Sequence, residues 1–311
     1  MFIPVKKSHG VLRQPDELIF TWIEERRNEW TVAQMCRVLG VSRAGYYAWR
    51  RRTPSAAEVR REELTAEVEQ IHEQVKGRYG SPRVHAELVA RGHECCANFV
   101  AKLMREAGIA AKTKRKFKQT TDSNHALPVA ENLLDRAFDP EEPNARWCAD
   151  ITYVPTREGW LYLAVVEDLF SRMVVGWSMA ETMTSRLVVD ALEMALARRG
   201  TLKGPSSSGL VAHSDRGSQY ASDHYQRRLK EERIAWSMSR RGDCWGNAPM
   251  ESFFASLKKE LVHHEDYATR DHAKASIFEY IEAFYNRVRR HSALGYVAPA
   301  EYEQMHNRNH R

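Results

Sequence analysis

The 311-residue chain holds 47 Lys and Arg against 41 Asp and Glu, a formal net charge of +6, with 43% hydrophobic and 28% charged residues. That is enough for two or three domains with buried cores. No run approaches the ~20 apolar residues a membrane helix needs, and the N-terminus lacks the apolar stretch of a signal peptide, so the expected location is the cytoplasm. The cysteines Cys36, Cys95, Cys96, Cys148 and Cys244 are odd in number and contain no CxxC pair. This argues against a disulfide framework and a zinc module and favours buried thiols.

The charge is uneven. Residues 1–120 carry 23 Lys and Arg against 14 Asp and Glu, and residues 121–311 carry 24 against 27. A basic front half suits a polyanion, although a merely solvated basic surface has the same signature.

In chain order, Val32, Met35, Cys36 and Leu39 recur at helical spacing, Gly40 breaks the run, and Ser42 caps a second helix with Ala44, Tyr47 and Ala48 turned inward. This predicts a helix–turn–helix whose outer face offers Arg43, Tyr46, Arg50 and Arg51 to phosphates and base edges. An ordinary helical hairpin fits the same pattern. A second helical module follows over residues 61–118, with a helix from Arg61 towards Val75, a helix start at Ser81-Pro82 and a helix from Asn98 to Ala107. Its tail, KTKRKFK at 112–118, has five basic residues in seven, among them Lys114, Arg115 and Lys116. Such runs lie along nucleic acid or serve as solvated linkers.

Residues 119–145 read as a linker. Beyond them the pattern predicts strands at Trp147–Pro155, Trp160–Leu169 and Arg172–Met179, a helix at Ser185–Arg199 and a polar loop at 204–209. A strand at Leu210–His213, a helix at Asp223–Glu232 and a strand at Ile234–Met238 come next, then helices from Pro249 to Val262 and Ala273 to Arg287. The expectation is an α/β core, a five-stranded mixed sheet flanked by helices, preceded by helical DNA-binding modules. The expected divisions are 1–60, 61–118, the linker 119–145, a core at 146–268 and a C-terminal helix and tail at 269–311.

Three carboxylates stand out. Asp150 interrupts a strand, where aspartate is disfavoured. Asp215 ends another strand, where open sheets place ligand groups. Glu251 falls in the first turn of a helix. Each has an ordinary explanation alone: a satisfied strand-end polar group, a turn residue, a helix-start acid. Together, 35 residues separate Asp215 from Glu251, and Lys258 stands seven after Glu251, about 10 Å along nearly the same helix face. Thr152, Ser214, Gly217, Gln219 and Asn247 lie nearby in sequence, and Gly242, Trp245 and Gly246 belong to a loop that could clamp DNA. Asp168 and Asp243 are explained by strand-end and loop placement. Arg287, Arg290 and His291 could touch DNA, and His291 fits equally well as a packed side chain.

The segments WCADITYV, HSDRGSQY and NAPMESFFASLK resemble the three blocks of the DD(35)E recombinases. LGVSRAGYYAW, RYGSPRVHAEL and the tail YNRVRRHSALGYVAPAEY are similar to the insertion-sequence-three family of bacterial transposases. The resemblance covers nearly the whole chain. It implies a ribonuclease-H-like catalytic core and polynucleotidyl transfer with two divalent ions, Mg²⁺ or Mn²⁺. Asp150 would hold both ions and Asp215 and Glu251 one each, with Lys258 on a DNA phosphate. It further implies element terminal inverted repeats and target DNA as substrates, a homo-oligomer on DNA, a first-reading-frame partner or fusion, and a bacterial, nucleoid-associated location. Two rival readings are a DNA-binding regulator with a decayed catalytic domain and a simple ribonuclease-H-like nuclease. The basic N-terminal half and the intact triad argue against them.

Overall fold

The structure, a computed structural model, describes residues 15–112, 130–134, 138–199, 209–239 and 247–310. The expectations for Lys114, Arg115, Lys116, most of the 204–209 loop, and Gly242, Asp243, Cys244, Trp245 and Gly246 lie outside these residues. The chain divides into two compact units, Met1–Glu67 and Val68–Arg311.

In the first unit, α1 (Asp16–Glu25) precedes α2 (Val32–Leu39) and α3 (Arg43–Arg51). Thr31 and Gln34 form a reciprocal capping box at the start of α2, and Gly40 ends it at φ 71°, the left-handed conformation that a residue without Cβ adopts at least cost. The Ser42 side chain accepts from the Gly45 N–H and starts α3. The core consists of Ile19, Phe20, Ile23, Met35, Cys36, Leu39 and Tyr46. Two expectations change here. The helix α1 was not foreseen. Tyr46 is fully buried, donating its hydroxyl to Glu24, while Ala44 and Ala48 are exposed. Tyr47 packs against this core as expected, but the inward stripe of α3 also takes in Tyr46, because α1 supplies both the Phe20 ring and the Glu24 acceptor that hold it.

The helix α4 (Ala56–Gln74) crosses from one unit to the next in sequence. It is followed by α5 (Ser81–Ala90), with Pro82 in its first turn, and α6 (Ala97–Glu106), which packs on α5. The sheet comprises β1 (Arg146–Thr156), β2 (Gly159–Asp168), β3 (Met173–Ala180), β4 (Val211–Ser214) and β5 (Ala235–Met238) in the order β3-β2-β1-β4-β5. The first three strands are antiparallel, and β4 and β5 run parallel to β1. This is the expected mixed sheet. The helices α7 (Ser185–Arg199) and α8 (Asp223–Glu231) bury Leu187, Val188, Leu192, Tyr225 and Leu229 against Trp147, Ala149, Ala164, Val166 and Ala212. At Gly176 of β3, a Cβ would sit 2.1 Å from the Ala191 carbonyl of α7. Only glycine lets this strand and helix approach so closely.

The helix α9 (Ala248–Glu260) packs against β1, and α10 (Arg270–Phe278) packs against β1 and β2. The helix expected to Arg287 changes to π geometry over Glu279–Tyr285. The segment after it fastens α9. Arg289 is 3% exposed and donates from Nε and a terminal nitrogen to Glu260 at 2.7–3.1 Å, and also to Ser256 at 2.9 Å. The Tyr280 hydroxyl donates to the same carboxylate at 2.8 Å. The next residue, Arg290, pairs with Glu87 of α5 at 2.6 Å, while the Arg83 side chain donates to the Arg290 carbonyl at 2.8 Å. The Tyr79 hydroxyl accepts from the Arg290 N–H and donates to the Val288 carbonyl, both at 2.9 Å. One loop thus holds the end of α9 and the start of α5 together. The C-terminal α11 (Pro299–Asn309) is tied to the core by Glu303, which pairs with Arg199 at 2.6 Å, and Arg199 in turn meets buried Asp168 at 3.1 Å.

Two stability measurements test these packing claims. Gly176→Ala should cost at least about 1–3 kcal/mol by overpacking, read from chemical denaturation; an unchanged midpoint would mean that α7 and β3 are not in contact. Arg289→Met should cost about 3–5 kcal/mol by stranding a buried carboxylate, and a Glu260→Met/Arg289→Met double variant should recover much of that loss. Additive losses in the double variant would contradict the pairing.

Candidate active site

The two aspartates are brought together by strand register. In the parallel β1–β4 ladder, Cys148 lies opposite His213 and Ala149 opposite Ser214. One step further along both chains are Asp150 and Asp215. Side chains at matching positions of adjacent parallel strands leave the same face, about 4.8 Å apart across the ladder. Trp147 and Ala149 belong to the core under α7 and α8, so alternation directs Cys148, Asp150 and Thr152 to the other face.

Asp150 is 9% exposed and accepts from the Ile151 N–H at 2.7 Å. Burial pushes its carboxyl well above the ordinary range. The charges of Asp215 and then Glu251 push the same way, and the Ile151 N–H and Lys258 oppose them. Asp215 Oδ1 accepts from the Gly217 N–H at 2.9 Å, and a Cβ at Gly217 would stand 3.0 Å from that oxygen. The turn after β4 thus favours glycine, since a Cβ would crowd the carboxylate that this N–H orients.

Glu251 is exposed in the first turn of α9, and its carboxyl is raised by burial of its surroundings. Asn247, just before the helix, donates to the Ala149 carbonyl at 3.3 Å and so ties the start of α9 to β1 beside Asp150. Its buried Oδ1 has no hydrogen-bond partner among the described residues. Lys258 is half-buried, with Nζ 5.1 Å from the centre of the Tyr153 ring. Burial lowers its amine and the Asp150 charge raises it. Lys258 is thus not a freely solvated surface cation: an aromatic face and a carboxylate field hold it towards β1. Among the described residues, no three His, Cys, Asp or Glu side chains converge closely enough to enclose an ion as they stand. The three carboxylates share an electrostatic field, with Glu251 on the open side.

Sequence reasoning missed a second layer. His213 is buried, with Nδ1 2.8 Å from the Ser237 hydroxyl and Nε2 3.1 Å from that of Ser239, and Arg216 donates to the Ser239 carbonyl at 2.8 Å. These bonds fix the end of β4, from which Asp215 follows. Tyr220 is also buried, and its hydroxyl has no partner among the described residues. Burial and then the charges of Asp150 and Asp215 raise it. The polar residues of HSDRGSQY and of the β5 segment were the available signal, but only the β4–β5 register pairs them. Of the other residues named from sequence, Thr152 and Ser214 are buried, Ser214 donating to the Asp215 carbonyl at 3.0 Å, and Gln219 donates to the Met183 carbonyl at 3.1 Å. Arg290 and His291 are internal: Arg290 is spent on Glu87, and burial followed by the charges of Arg289, Arg172 and Arg83 drives the His291 imidazole down to about 3. Arg287 is exposed. In the first unit, Arg43, Arg50 and Arg51 are exposed along α3, with Arg50 3.4 Å from Glu24.

A mixed sheet of this order, with acidic residues meeting where β1 and β4 run side by side, defines a ribonuclease-H-like integrase core, the scaffold of polynucleotidyl transferases. Profiles described as "Integrase core domain" match residues 140–244 and 251–306, and one described as "HTH-like domain" matches residues 59–117. The chain is 45% identical over 286 residues to Transposase InsF for insertion sequence IS3A of Escherichia coli (strain K12), covering 91% of this chain and 98% of that protein. It is also 45% identical over 273 residues to the insertion element IS600 uncharacterized 31 kDa protein of Shigella sonnei, covering 88% and 98%. Among solved structures, the HTLV-2 integrase catalytic core domain in complex with magnesium aligns with 17% identity and a TM-score of 0.39, over 52% of this chain and 97% of that one. The chain belongs to the IS3 family of insertion-sequence transposases, enzymes of DNA transposition. The rival readings as a regulator or a simple nuclease fall away with that membership. Among the described residues no helix is long and apolar enough to cross a membrane.

Proposed function

We propose that this transposase cuts and joins DNA at a centre formed by Asp150, Asp215 and Glu251, which hold two divalent ions, Mg²⁺ or Mn²⁺. The observation that carries this reading is the β1–β4 register, which sets buried Asp150 beside Asp215, with Glu251 on the helix packed against β1. Such a cluster is strained by like-charge repulsion and desolvation, and divalent cations relieve both. The donors are all oxygen, which suits hard ions. Bound ions would supply stabilisation of negative charge on the attacking and leaving oxygens of the phosphodiester.

The chain's own side chains do the rest. Asp150 and Asp215, fixed by the β1–β4 register, supply the rigid half of the ligand set. Glu251 supplies the adjustable half, carried on a helix whose start is tied by Asn247 and whose end is held by Arg289. Lys258, resting on Tyr153, neutralises a DNA phosphate beside the carboxylates. Element terminal inverted repeats and target DNA are the substrates. Arg43, Arg50 and Arg51 contact DNA from α3, and the tract with Lys114, Arg115 and Lys116 follows the backbone. The domain divisions expected from sequence, assembly as a homo-oligomer on DNA, a first-reading-frame partner and association with the nucleoid belong to the same proposal.

Asp150→Asn, Asp215→Asn and Glu251→Gln should each abolish strand transfer on a substrate bearing the element's ends while retaining affinity for DNA. Near wild-type transfer by any one of them removes that residue from the ligand set. Mg²⁺ should raise the melting temperature of the wild-type protein and leave that of Asp150→Asn unmoved; an equal rise in both would place the ion elsewhere. Lys258→Ala should lower strand transfer at least tenfold with a stability change of about 1 kcal/mol or less, and Lys258→Arg should keep part of the activity. Transfer by Lys258→Ala at the wild-type level would leave the lysine with no part in the reaction.

A further inference from the structure

The segment QRRLKEERIAW, residues 226–236, splits its charges between two faces. Arg228 takes up the acids: it pairs with Glu193, with Glu232 at 2.7 Å and with Glu231 at 3.5 Å. Arg227, Lys230 and Arg233 are exposed, and no described carboxylate lies within ion-pair distance of any of them. All three line a groove of about 930 Å³ between α8 and β5, with Gln226 and Trp236 in its walls and Asp223 at one end. Arg227 and Lys230 are three residues apart, about 4.5 Å of helical rise on one face. Arg233 continues the row past the helix at φ 57°. The strand β5 is the edge of the sheet among the described residues; the Leu133 N–H donates to Ser237 near its end at 2.9 Å, while the groove lies at its start, beside Ala235 and Trp236. It begins at the end of α8 that follows the Asp215 loop and runs back along β5, away from the carboxylates.

We propose that this groove is a second DNA-binding site, gripping the phosphodiester backbone of a duplex outside the catalytic centre. The groove's lining carries three cations against one carboxylate, Asp223, whose carbonyl accepts from Arg227 at 3.2 Å, while the acids on Arg228 lie outside that lining. Arginine and lysine at this spacing can meet successive phosphates, and the aromatic and amide walls tolerate any sequence. A backbone contact here would hold the DNA flanking the reacting phosphodiester, or the target, in a fixed direction. The occupant is DNA because the lining of the groove is cationic on balance and an IS3-family transposase acts on DNA. An acidic surface of a second copy is the competing occupant, and the experiment separates it.

The test uses the full chain with the triple variant Arg227→Ala/Lys230→Ala/Arg233→Ala and a duplex of arbitrary sequence, in chelator, so that its outcome does not depend on the metal-centre reading. Affinity is measured across a salt series, with sedimentation velocity on the same samples. Each lost phosphate contact should reduce the slope of log affinity against log salt by about 0.9. The triple variant should therefore lose about two to three in slope and bind at least tenfold more weakly in dilute salt. A wild-type slope and affinity would overturn the proposal. So would unchanged DNA binding with an altered oligomeric state, which would assign the groove to a second copy. Should the triple variant fold poorly, Lys230→Gln alone decides the matter: a slope reduced by about 0.9 supports the site, and no change refutes it.

Discussion

A carboxylate withdrawn from water beside another carboxylate is unstable in its charged form unless a cation stands close by. The parallel pairing of β1 with β4 imposes that condition on Asp150 and Asp215, because each follows a pair of residues locked in register. Much of the surrounding structure maintains it. Gly217 leaves the space that lets its own N–H orient Asp215, and His213, bridging two serines of the β5 segment, anchors the strand from which Asp215 emerges. Lys258 offers a monovalent counter-charge, insufficient for three carboxylates. On the proposed reading, a doubly charged ion would offset these carboxylates where Lys258 alone does not.

The third carboxylate arrives differently. Glu251 stands on a helix, outside the sheet ladder, and its position depends on how α9 is held at its two ends. Asn247 secures the start to β1. The Glu260–Arg289 pair secures the end, with Arg290 continuing the connection to Glu87 of α5. The residues of YNRVRRHS thus hold the helix that carries Glu251 from inside the fold. The buried pair contributes geometry more than net stability, since a desolvated ion pair returns little free energy beyond its own desolvation cost.

Strand and helix patterning makes the core legible in the sequence: β-branched and aromatic runs mark each strand to within a few residues, and the helix Ser185–Arg199 falls at its expected bounds. The three carboxylates were visible as residues out of place in their elements, and the family motifs joined them. What was not legible depends on non-local contacts. Ala44, Tyr47 and Ala48 make as good a helical stripe as Gly45, Tyr46 and Trp49, and the choice is made by Phe20 and Glu24 of α1. Arg290 and His291 look like nucleic-acid contacts in a basic tail until Glu87 and the buried loop are seen beside them. The His213–Ser237–Ser239 arrangement joins residues more than twenty positions apart, which only the sheet register brings together.

At Asp150 a bound cation and a proton compete to neutralise the same buried carboxylate, and proton release reports that exchange most directly. Burial and the neighbouring carboxylates raise its carboxyl, so an incoming ion competes with a proton there. Calorimetric titration of Mg²⁺ into the wild-type protein, in two buffers of different ionisation enthalpy, should give heats that differ by the protons released. Asp150→Asn should show no such difference. Heats independent of buffer in the wild-type protein, or the same release from Asp150→Asn, would contradict the account.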